Sequence, residues 1–230
     1  MSAPTLAVAT YCERTGTAFW AEPVNALTNL VFLVATVLAA RALLRSRQPP
    51  RELWDLWLLV ALAAAVGTGS FLWHTLATPW SALADVIPIL LFISVFLLSF
   101  LIRVAQLSPS TAVIAFLAFQ AVNVGVQRTL PADLLNGSVF YLPTWGALLL
   151  AAGYARAVGY AQARPFLLVT LAFTCALVLR TLDRAICDAL PLGTHFAWHL
   201  LNGYILYAVT VALVPVRHGR RELAASADRT

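Results

Sequence analysis

The sequence predicts an all-α fold: a bundle of seven transmembrane helices with its N-terminus outside and its C-terminus in the cytoplasm. Three observations carry that expectation. The 230 residues are 61% hydrophobic and only 11% charged, too apolar a mix for a soluble domain. Seven apolar runs come close to the roughly 20 residues a helix needs to cross the hydrocarbon core. The arginines between them gather on one side.

The runs fall at residues 24–44, 53–76, 83–104, 111–127, 139–160, 166–185 and 196–216. The first serves as the insertion signal, because the opening residues lack a long apolar core behind a basic start. Pro49 and Pro50 interrupt the chain after the first run, and Pro79 separates the second from the third. Pro109, Pro131 and Pro191 break later loops. Arg41, Arg45, Arg47, Arg51, Arg103, Arg156, Arg164, Arg217, Arg220, Arg221 and Arg229 share one side; Arg14, Arg128, Arg180 and Arg184 share the other. The richer side should be cytoplasmic. An outside start and an inside end require an odd number of spans, which agrees with seven. Residues 1–216 therefore read as one domain with a short extracytoplasmic N-terminal segment, and residues 217–230 as a basic, disordered cytoplasmic tail.

The net charge of +5 lies in short loops, which argues for topology signals and against nucleic-acid binding. The sequence contains no lysine, so a retinal Schiff base is excluded. All-arginine, alanine-rich usage points to a GC-rich bacterial genome and hence to the inner membrane.

Ionisable residues inside spans are expensive and mark function. Here they are His74, Asp85, Arg180, Asp183, His195 and His199. His195 and His199 are four apart, on one helix face and about 6 Å apart along the axis. His74 ends the second span at matching depth. Two ligands from one helix and a third from another leave an open position for water, the catalytic zinc pattern. The plainer alternative is that these histidines hydrogen-bond neighbouring helices. Ser70 lies one turn before His74, and Asp85 opens the third span on the same side. A carboxylate there can take a proton from an attacking water, and a hydroxyl can donate to a developing oxyanion. The plainer roles are a helix-end residue for Asp85 and, for Ser70, a small residue that lets helices approach. Arg180 and Asp183, three apart, read as a structural ion pair. Cys12 and Cys187 both fall outside, where disulfides persist, and are expected to bridge.

With these residues in view, the chain resembles the alkaline ceramidase family, within the wider group of seven-helix membrane hydrolases that includes the adiponectin receptors. The motifs are GTGSFLWHTL (67–76), ADVIP (84–88), RTLDRAIC (180–187) and HFAWHLLNGY (195–204), with YCE (11–13) and EPVNALTN (22–29) near the start. The resemblance implies zinc on His74, His195 and His199, catalytic roles for Ser70 and Asp85, and a Cys12–Cys187 disulfide. It implies a membrane lipid substrate: ceramide or a related N-acyl lipid, hydrolysed to a fatty acid and a free amine at a site facing the periplasm. It also implies a calcium site on Glu13, Glu22, the Tyr11 carbonyl and Thr15. Thr10 and Thr15 stand where an acid and an amide are expected, which thins the oxygen donors calcium prefers. The plainer role of Glu13 and Glu22 is to cap the entry to the first span. Two rival functions are a lipid-binding, receptor-like protein with vestigial hydrolysis and a metal transporter. The short tails disfavour the first, and the clustering of all three histidines at one end disfavours the second.

Overall fold

The computed structural model describes residues 11–214; the tail at 217–230 and Thr10 lie outside the described residues. Those residues form helices α1 (Pro23–Thr28), α2 (Leu30–Arg45), α3 (Trp54–Leu76), α4 (Pro79–Arg103), α5 (Pro109–Thr129), α6 (Leu142–Ala157), α7 (Ala163–Leu182) and α8 (His195–Ala212), with short 3-10 turns and no strand among them. α1 and α2 run on as one apolar segment broken at Asn29. Six helical segments are long and apolar enough to cross a membrane. α8 is not among them, and it is the helix that carries His195, His199 and Asn202. It nonetheless packs closely on α7 and α2.

Large apolar side chains such as Leu44, Ile114, Leu150 and Leu171 point outward, as a lipid-facing surface requires. In the half of the bundle away from the histidines, Phe96, Phe100 and Phe166 pack with Leu56, Leu59 and Val104. There Asp55 accepts hydrogen bonds from Ser99 Oγ (2.7 Å) and Arg103 Nε (2.7 Å). This ion pair at the start of α3 and the end of α4 was not among the polar residues singled out from the sequence.

The hairpin of α3 and α4 is the most extensive helix pairing. Ala77 turns the chain in the left-handed region (φ 46°), and Thr78 with Ser81 forms a capping box ahead of Pro79. The approach is tightest at Gly69, where an added Cβ would lie 1.9 Å from the carbonyl oxygen of Ala84. Only glycine fits there, and that contact sets Ser70 beside Asp85.

Candidate metal centre

His74 lies in the last turn of α3, and His195 and His199 lie in the first turns of α8; all three are buried. One ring nitrogen from each falls within 4.8 Å of the others. Nε2 of His74, Nδ1 of His195 and Nε2 of His199 are buried without a hydrogen-bond partner. A buried polar atom left unpaired costs about 1–3 kcal/mol. Three converging imidazole nitrogens are therefore an arrangement that suits a cation, and this donor set fits zinc.

The opposite nitrogens of His74 and His199 are held. Nδ1 of His74 lies 2.6 Å from Glu22 Oε2, so a protonated Nδ1 leaves the Nε2 lone pair pointing at the cluster. Nδ1 of His199 lies 2.9 Å from Thr28 Oγ1, whose own proton is directed at the carbonyl of Val24 (2.8 Å). The hydroxyl therefore accepts from Nδ1, and again Nε2 is left with its lone pair facing the cluster. The ring of His195 stacks on Tyr11, with centroids 3.6 Å apart. Outer partners of this kind fix the tautomer and orientation of a metal ligand. Thr28 carried no signal in the sequence beyond its place one turn into the first apolar run.

Ser70 and Asp85 face one another at the α3–α4 contact, where Gly69 meets the backbone of Ala84 and Asp85. They line a cavity of about 260 Å³ with His195, His199, Tyr11 and Arg180, whose apolar walls include Phe92, Phe96, Ile205 and Val209. Asp85 Oδ1 is buried and unpartnered.

Arg180 and Asp183, expected to pair, do not bond to each other. At the end of α7 the two side chains diverge. Arg180 reaches the loop before α6, donating to the carbonyl of Asn136 (2.6 Å) and to Ser138 Oγ (3.2 Å). Asp183 accepts from the backbone N–H groups of Thr194 (2.6 Å), His195 (2.9 Å) and Cys12 (3.1 Å), so it anchors both the start of α8 and the N-terminal segment. At Gly193 (φ +66°) a Cβ would lie 2.1 Å from Asp183 Oδ1. The disulfide Cys12–Cys187 is present beside this junction.

The acidic residues of the N-terminal segment do not fit calcium. Glu13 accepts from the N–H groups of Val24 (2.7 Å) and Asn25 (2.8 Å), capping α1. Glu22 is ion-paired with Arg14 and bonded to His74 and to Asn25 Nδ2 (3.1 Å). Arg14 also donates to the carbonyls of His74 (2.8 Å) and Gly16 (3.3 Å). Thr15 is exposed, and the Tyr11 carbonyl accepts from the N–H of Arg14 (3.3 Å). The carboxylate oxygens that would ligate calcium already face N–H donors, and a guanidinium supplies the positive charge. Burial pushes Glu22 up, but the hydrogen bonds and charges of His74 and Arg14 outweigh it and hold the carboxyl below its ordinary range. Burial pushes the Tyr11 phenol up, so it stays protonated.

A search of curated proteins finds no match to this chain. The family model described as Ceramidase matches residues 3–227. Nearly the whole chain is covered, and it belongs to the ceramidase family, whose members are hydrolases acting on the amide bond of ceramide.

Proposed function

We propose that this chain is a zinc-dependent membrane amidase that hydrolyses the N-acyl bond of ceramide or a related N-acyl lipid, giving a fatty acid and a free amine. The observation that carries the reading is the convergence of three unpartnered histidine nitrogens beside Ser70 and Asp85 in an apolar-walled cavity. We read α8 as the seventh span, with the N-terminus outside, the C-terminus cytoplasmic and the site on the periplasmic side of a bacterial inner membrane.

His74, His195 and His199 would hold the zinc. When bound, zinc supplies Lewis-acid polarisation of the amide carbonyl and makes water more acidic. Asp85 takes the proton of the attacking water and delivers it to the departing amine. Ser70 donates a hydrogen bond to the carbonyl oxygen as negative charge develops there. The apolar walls of the cavity hold the acyl chain and keep bulk water from the reacting centre.

Purified protein should contain about one zinc per chain, and His199→Ala should lose most of it. Asp85→Asn should keep the metal and lose hydrolysis by about 10²–10⁴-fold. Unchanged zinc in the first variant would refute the ligand assignment, and full activity in the second would remove Asp85 from the mechanism. Incubation with a lipid extract, with the released amines and fatty acids identified by mass spectrometry, names the substrate.

A further inference from the structure

The cavity has one charged wall that the chemistry above does not use. Arg180 lines it together with Ser70, Asp85, His195 and His199. No carboxylate of the described residues lies within ion-pair distance of its guanidinium. Asp183, the nearest acid along the chain, is taken up by three backbone N–H groups. Asp85 is the one carboxylate among the lining residues, and it sits beside Ser70.

The guanidinium is held in place. One of its amino groups donates to Asn136 and Ser138, and Asn136 Nδ2 returns a bond to the Arg180 carbonyl (3.1 Å). Its central carbon lies 5.5 Å from the ring of Tyr141 and 5.7 Å from that of Trp198. Those contacts fix its plane and leave N–H groups that the loop does not use. The Tyr11 phenol is its near neighbour in the cavity wall, and the Tyr11 ring is the one stacked on His195. Arg180 thus stands one aromatic ring away from the histidine cluster.

A charged group in an apolar cavity at membrane depth is costly unless something pairs with it. A carboxylate pairs best with a planar guanidinium, because two parallel N–H···O bonds can form. The short span from Arg180 to the histidines limits where that carboxylate can sit on a bound amide. It must lie within a few bonds of the scissile group. We propose that Arg180 recognises an acidic group on the amine half of the substrate. The preferred amide is then an N-acylated amino acid, or a lipid headed by one, with its carboxylate close to the amide nitrogen. This rests on the amidase reading and narrows its substrate class.

N-palmitoylglycine and N-palmitoylethanolamine test the inference, since they differ only in a carboxylate against a hydroxymethyl group. Wild-type protein should favour the glycine amide in kcat/KM by roughly 10- to 100-fold, the range of a charge-assisted hydrogen bond. In Arg180→Gln the two rates should converge, chiefly through KM, while Arg180→Lys should retain part of the preference. Equal rates in the wild type, or an unchanged ratio in Arg180→Gln, would overturn the role of Arg180 and leave the amidase reading standing. If the wild type cleaves neither amide nor ceramide, the amidase reading fails and recognition is read from thermal stability alone. A Tm rise specific to N-palmitoylglycine in the wild type, and reduced in Arg180→Lys, supports the proposal; no such rise overturns it.

Discussion

Glu22 Oε2 lies 2.6 Å from Nδ1 of His74, so a carboxylate from the segment before α1 fixes the ring of the histidine that ends α3. The resemblance offered Glu22 to calcium, with capping of the first span as the plainer role; in the folded chain its carboxylate bonds to His74. Glu22→Gln keeps the size of the side chain and removes its charge. It should weaken zinc binding by about 10- to 100-fold, the usual effect of losing such an outer partner. Competition with a chromogenic chelator measures this, and an unchanged affinity would show that Glu22 only braces the N-terminal segment.

Arg14 bonds to Glu22 and to the carbonyls of His74 and Gly16, so a guanidinium already neutralises the Glu22 carboxylate. Millimolar calcium should therefore leave the Tm and the activity of the zinc-loaded protein unchanged. Arg14→Ala removes one partner of a buried carboxylate that keeps His74 and Asn25, a change that should cost about 1–3 kcal/mol. Thermal unfolding with and without calcium checks both statements. A calcium-dependent rise in wild-type Tm would count against the guanidinium as the resident cation.

Glu22 also makes a prediction about acid. Its folded pKa is held below the ordinary value of 4.5, so its share of stability is present above that pH. That share is lost as pH falls below 4.5 toward the folded value. Tm plotted against pH should drop more steeply there for wild type than for Glu22→Gln. Parallel curves would show that Glu22 contributes nothing to acid sensitivity.

Gly69→Ala should be the most disruptive small change in α3. A methyl group 1.9 Å from the Ala84 carbonyl oxygen cannot be accommodated without separating α3 from α4. Overpacking of this kind costs typically about 1–3 kcal/mol. The same separation draws Asp85 away from Ser70, so hydrolysis should fall further than stability. Alanine at Gly125, which has open space around it, is the control and should leave both unchanged.

Most of the helices were legible in the sequence, because a membrane span announces itself by length and apolarity alone. The spans expected at 53–76 and 111–127 are α3 and α5, shifted by only a residue or two. The run expected at 139–160 begins instead as a 3-10 turn, Ser138–Tyr141, before α6. The histidines were legible because polar groups at that depth are few and two of them share a helical period. What stayed hidden were choices among partners. Asp183 could have met Arg180 three residues away, and spacing favoured it, but three backbone N–H groups claimed it first. Asp55 carried no signal of its own, and only the packing of α3 on α4 brings it to Ser99 and Arg103. Glu13 takes the plainer of the two roles open to it and caps α1, whereas the bonds of Glu22 to Arg14 and His74 could not be read from spacing. Such pairings are decided by tertiary approach, which local spacing does not encode.

The contact of Asp183 and Cys12 with the start of α8 orders events in time. His74 is synthesised long before His195 and His199, and the N-terminal segment that braces it before any of them. The cluster cannot close until α8 has been made and packed against the first helices. The Cys12–Cys187 bond then closes a loop of 175 residues around nearly every span. Half-made chains would have two unfilled imidazole positions and no grip on the metal. The last described helix thus acts as a check on completeness: the three-histidine cluster exists only in a chain whose α8 has docked on the earlier helices.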